Sequence, residues 1–155
     1  MPDPKNLMRN ILTDVKVELT EMFDKNFERK GFFEKKWPAR KNTDAKQKGT
    51  LLLVTGKMRR SIRSSVRGTS VVFTSAMPYT ALHNEGGSFT QRVKAHARTN
   101  KKTGKSYQVK SHIRNMNMPQ RQFIGDHKEV REAIGAITGE NLKEYFDNLA
   151  KEIKQ

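Results

Sequence analysis

The chain has 155 residues, 31 Lys and Arg against 16 Asp and Glu, and a formal net charge of +15. That length holds one domain, and with only 33 Leu, Ile, Val and Phe residues its core is small. No apolar run approaches the ~20 residues of a membrane span, the first ten residues lack the apolar stretch of a secretory leader, and the absence of cysteine excludes disulfides, thiolate catalysis and Cys-ligated zinc.

The charge is concentrated. Residues 1–28 carry net −2 and residues 115–155 net −1, while residues 29–114 hold 21 basic and 3 acidic side chains. A block of one sign this large sets up a field suited to an anionic neighbour. A solvated basic surface is the simpler reading, but it leaves the self-repulsion uncompensated.

Leu7, Ile11, Val15, Leu19, Met22, Phe23 and Phe27 recur at helical spacing and predict an amphipathic helix over 5–28. Asp3-Pro4 supplies its N-cap and first-turn proline, and Gly31 is its expected stop. Phe32, Phe33 and Trp37 cluster next. The polar stretch 38–50 reads as a mobile loop. After the apolar run from Leu51 to Val54, Thr55 is positioned to cap a short helix bearing Met58 and Ile62 on one side and Arg59, Arg60 and Arg63 on the others.

Residues 64–75 read as a β-hairpin turning at Gly68-Thr69. Pro78 ends its second strand. Tyr79 to Glu85 suit one or two helical turns closed by Gly86-Gly87. Residues 89–98 and 105–114 form a second hairpin around a basic tip, with residues 99–104 expected to be mobile. It carries Lys94, Arg98, Lys101, Lys102, Lys105 and Lys110. Residues 115–125 read as an irregular connection. Asp126 and Glu129 suggest a capping box for a helix striped by Val130, Ile134 and Ile137. Thr138 suggests a second cap, ahead of a helix over 139–154 carrying Leu142, Tyr145, Phe146, Leu149 and Ile153. The expected fold is α+β: a long N-terminal helix and C-terminal helices on one face of a small antiparallel sheet, with a protruding basic hairpin.

Catalytic signals are sparse. None of His83, His96, His112 and His127 has metal-ligand spacing, and the basic middle offers only Glu34, Asp44 and Glu85 as oxygen ligands. No phosphate-loop, dinucleotide or nucleophile-elbow motif is present. Neither a metal nor a cofactor is expected. A metal-free RNase using His83, His96 or His112 among cations is conceivable, although each histidine has a simpler role as a polar surface or hinge residue. Phe89 and Tyr107 in the basic hairpin could stack on bases, although packing on the sheet is the simpler role.

Three segments in order carry a resemblance: Leu53-Val54-Thr55-Gly56-Lys57-Met58-Arg59-Arg60-Ser61-Ile62, Tyr79-Thr80-Ala81-Leu82-His83-Asn84-Glu85-Gly86-Gly87, and Met118-Pro119-Gln120-Arg121-Gln122-Phe123-Ile124-Gly125. Together they resemble the phage virion morphogenesis family, the tail-completion proteins of Mu-like and P2-like tailed phages. That family has a TGxLRxSI helix start, a YAxxHxxGG segment and a PxRxFLG segment. Met58, Asn84-Glu85, Gln122 and Ile124 depart from those patterns.

The resemblance implies a non-enzymatic virion component at the head–tail junction, assembled in the host cytoplasm as copies around the DNA channel. Its implied partners are a connector, tail terminator or tail tube, with no membrane. Structural roles are expected for Gly56, Tyr79, His83, Gly86, Gly87, Arg121, Phe123 and Gly125: Phe123 in the core, Arg121 on a carboxylate or on carbonyl groups, His83 bonded to the neighbouring loop. Contact with DNA or a partner is expected for Arg59, Arg60, Arg63 and the hairpin cations. A stand-alone nucleic-acid-binding protein is the rival reading.

Overall fold

A computed structural model describes residues 3–39, 52–53 and 55–153. Helix α1 runs Pro4–Arg29, with the Asp3 carboxylate accepting from the Lys5 N–H at 2.9 Å. It buries Val15, Leu19, Phe23 and Phe27 along the predicted stripe. Its stop differs from expectation. Lys30 takes the left-handed conformation (φ 55°) and closes the helix through its own N–H. Gly31 instead begins strand β1 (Gly31–Phe32), paired with β2 (Lys35–Lys36). A Cβ on Gly31 would stand 2.7 Å from the Lys35 carbonyl, so the glycine serves close strand approach rather than capping.

Helix α2 spans Lys57–Ser61, and Gly56 is its N-cap at φ 61°. The Thr55 hydroxyl reaches the Lys57 N–H only at 3.5 Å, so the expected threonine cap gives way to a glycine turn. Ile62 lies outside this helix and opens β3 (Ile62–Arg67), which pairs with β4 (Ser70–Ser75) about the predicted Gly68-Thr69 turn. Helix α3 covers Thr80–Glu85. The predicted loop over 38–50 lies outside the described residues apart from Pro38 and Ala39.

The second hairpin is longer than its sequence suggests. Strand β5 (Gly87–Val93) pairs with β8 (His112–Met118), and β6 (His96–Thr99) pairs with β7 (Ser106–Val109). Residues 115–118, expected to be irregular, therefore belong to a strand. One register runs through both ladders, since Val93 faces His112 and His96 faces Val109. The ribbon is interrupted only at Lys94-Ala95 and Lys110-Ser111. Its tip is closed by Asn100, whose Oδ1 accepts from the N–H of Lys102 at 2.9 Å and of Thr103 at 3.4 Å.

Helix α4 runs unbroken from Lys128 to Ile153. Two expected caps are not used. The Glu129 N–H donates to His127 Nδ1 at 3.3 Å, while the Asp126 carboxylate pairs with Arg131. The Thr138 hydroxyl bonds back to the Ile134 carbonyl at 2.7 Å, the satisfied mid-helix alternative to capping.

The fold is α+β, but the described strands form four two-stranded ladders rather than one sheet. Val15, Leu19, Phe23, Phe32, Phe33 and Val130 form one core cluster, with Val71 and Phe73 of β4 packed against it. Phe27, Trp37, Met58 and Phe123 form a second.

Candidate functional site

The three motif segments converge on the second core cluster. Ser61, in the first, shares a hydrogen bond with Ser75 at 2.7 Å, and Ser75 shares another with Thr80 of the second segment at 2.7 Å. From the second segment, Asn84 Oδ1 accepts from the N–H groups of Phe123 and Ile124, each at 3.0 Å. The Arg121 N–H donates to the His83 carbonyl at 2.8 Å. Gly86 fits because it has no side chain: at φ 70° a Cβ would lie 2.7 Å from the Gln120 nitrogen.

Residues outside the motifs complete this junction. Asn26 is fully buried, and its amide donates to the Phe123 carbonyl at 3.1 Å while its Oδ1 accepts from the Phe33 N–H at 3.0 Å. Trp37 Nε1 donates to the Gln122 carbonyl at 2.5 Å, and its ring meets Phe27 edge-on. Phe123 is 1% exposed, tilted against Phe27 with centroids 4.8 Å apart. The Arg121 guanidinium is buried and donates to the carbonyls of Pro38 and Ala39. Gly125 brings the chain against the side chain of Gln122. Asn26 escaped the sequence reading, since a polar residue on an amphipathic helix has no signal distinguishing it from a solvated one.

His83 sits in α3 with Tyr79 packed edge-on, ring centroids 6.0 Å apart. Its Nδ1 is enclosed and has no hydrogen-bond partner among the described residues. Burial, with the nearby Arg121 charge, pushes the imidazole below its ordinary pKa. Gly87 begins the long ribbon at φ 123°.

The predicted contact cations divide. Arg59 turns inward, with its guanidinium forked onto Asp24 and also bonded to Glu28 at 2.8 Å. Those carboxylates, Asp24 foremost, push its pKa upward. Arg60 and Arg63 are exposed and donate to nearby carbonyls, Arg60 to Thr55 at 2.9 Å and Arg63 to Arg60 at 2.6 Å. Lys94, Arg98, Lys101, Lys102, Lys105 and Lys110 are all exposed on the ribbon, joined there by Arg92 and Arg114. Arg98 faces Tyr107 directly across the strands.

The histidines are dispersed. His96 and His112 flank the interruption in the ribbon, and the Nδ1 of each bonds the carbonyl of the lysine two residues earlier at 2.9 Å. Those carbonyls are freed where the cross-strand ladder lapses. His96 faces Val109, three positions from His112, so the two rings are rooted about 10 Å apart along the ribbon. The Glu34, His127 and Glu129 side chains bring potential ligand atoms within 4.8 Å of one another. There His127 stacks on Phe33 at 4.0 Å, and its Nε2 lies 3.1 Å from the Glu34 carboxylate. Both ring nitrogens are thus already engaged, Nδ1 accepting from the Glu129 N–H and Nε2 donating to the Glu34 carboxylate. An open, mainly apolar cleft of about 280 Å³ lies beside the motif junction, between Ile62, Phe73, Pro78, Ala81 and Phe123.

These features describe a small α+β protein in which three distant segments are tied into one buried junction, while eight cations without an ion-pair partner among the described residues lie on one exposed ribbon. The sequence model of the phage virion morphogenesis family matches residues 1–143 of the chain, and the protein belongs to that family. Membership gives it a role in phage virion structure or assembly. No curated protein and no solved structure matches it.

Proposed function

We propose that the protein is a tail-completion or head–tail connector component of a tailed phage or prophage, a non-enzymatic part of the virion neck. It assembles as a homo-oligomer around the DNA channel and docks on a connector, tail terminator or tail tube. The family match over residues 1–143 carries this reading. The division of charge supports it: the helical ends are nearly balanced and suit protein neighbours, whereas the middle carries net +18 toward something anionic.

The motif residues act by holding this scaffold together. Asn84, through its Oδ1, and the Arg121 guanidinium bond backbone groups inside the junction. The test is to remove the gene from a phage or inducible prophage and examine the particles by electron microscopy. Filled heads and tails that fail to join, rescued by the wild-type chain, are expected. Fully infectious particles with intact tails would overturn the reading.

A further inference from the structure

We propose that residues 87–118 form a β-ribbon that binds duplex DNA through its phosphate backbone, without sequence preference. The segment holds eight Lys and Arg residues, two histidines and no acidic residue. All eight cations are exposed, and among the described residues none of them is ion-paired. From Gly87 to Asn100 the continuous register spans about 45 Å of ribbon.

A second copy of this chain is a poor match for that charge. Its flanking regions carry only net −2 and net −1, and six of its carboxylates already have partners of their own. An acidic protein fits less well than a nucleic acid. Protein interfaces are depleted of charge at their centres and enriched in aromatic groups, whereas the ribbon exposes only Tyr107 and Ile113 as large apolar side chains, on different ladders. A phosphodiester backbone instead repeats its charge along a line, as the ribbon does. Two antiparallel strands are also narrow enough to enter the major groove, about 12 Å wide. The paired lapse at Lys94-Ala95 and Lys110-Ser111 breaks the ladder at one level on both strands, leaving a joint at which the outer ribbon can adjust to a groove.

The full-length protein is titrated onto fluorescent duplexes of unrelated sequence at several salt concentrations. Full engagement of eight cations gives log K against log salt a slope of about −7, and partial engagement a slope of about −4. Replacing Arg98, Lys101, Lys102 and Lys105 by Gln makes that slope shallower by roughly 3 to 4. Replacing Lys5, Arg9, Lys143 and Lys151 by Gln removes the same charge from the helices and leaves the slope unchanged. All these side chains are exposed, and circular dichroism verifies the fold of each variant. Equal losses in the two quadruple variants would reduce the effect to net charge and overturn the proposal. Absence of salt-dependent binding would overturn it too, as would polyglutamate competing as well as DNA at equal charge, which would assign the ribbon to an acidic protein. The binding assay reads the ribbon and the particle assay reads assembly, so either reading can fail without the other.

Discussion

Asn26 on the long first helix and Phe123, 97 residues later, are joined inside the core by a hydrogen bond of 3.1 Å from the asparagine amide to the phenylalanine carbonyl. The same amide group also receives the Phe33 N–H. One side chain therefore satisfies two buried backbone groups from different parts of the chain, where water cannot take its place. Replacing Asn26 by Ala orphans both. A loss of about 2–4 kcal/mol is expected in urea unfolding, read as a lower midpoint at an unchanged slope. Replacing it by Asp keeps the acceptor for Phe33 but loses the donor to Phe123, and the loss grows as pH rises and the carboxylate ionises.

Gly86 and Gly68 separate close packing from backbone strain. Both have positive φ, at 70° and 58°, but a Cβ on Gly68 meets nothing within 4 Å. Gly68→Ala is therefore expected to cost about 1 kcal/mol, from the left-handed backbone alone. Gly86 has ψ −163°, a region open essentially only to glycine, and its Cβ would press on the backbone of Gln120. Gly86→Ala is expected to cost roughly 3 kcal/mol or more. It should also speed hydrogen exchange at the Phe123 and Ile124 amides, which Asn84 accepts from.

Arg59 bridges α2 to α1 through Asp24 and Glu28. The cluster is only partly buried, so its contribution is modest and screened by salt. Arg59→Lys gives up the forked contact and is expected to lose about 1 kcal/mol at low salt, with less loss at high salt. A double-mutant cycle with Asp24→Asn measures the pair. Additive losses would show that the guanidinium and carboxylate do not cooperate.

Burial, with the nearby Arg121 charge, pushes the His83 imidazole below its ordinary pKa of 6.5. As pH falls through that ordinary value, the unfolded chain takes up a proton that the folded chain refuses, so acid favours unfolding. The stability tied to this group is present above the ordinary pKa and declines as pH drops toward the folded one. Melting temperatures measured from pH 7.5 to 5.5 should fall more steeply for the wild type than for His83→Gln. Parallel curves would mean that the ring is solvated in the folded protein.

The amino-acid order by itself determined the helical stripe of α1, the turn at Gly68-Thr69, the helical pattern beyond residue 127 and the placement of positive charge, because periodicity, turn chemistry and net charge are local properties. It also carried the resemblance to the family, through three short segments. The tertiary structure alone decided which partners the structural polar residues take. Asn26, Asn84 and Arg121 acquire their partners only when segments tens of residues apart meet. It likewise turned Arg59 inward and left the cations of the ribbon outward, a distinction that composition cannot make. The local capping signal at Thr138 was overridden because continuing α4 keeps its backbone hydrogen-bonded along the face it packs on α1, whereas a cap would break it; at Asp126 the cap passed to His127, whose Nδ1 takes the Glu129 N–H while the Asp126 carboxylate pairs with Arg131. Short-range preferences set which elements can form, and long-range burial selects among them, since an unpaired polar group in the core costs more than a cap contributes.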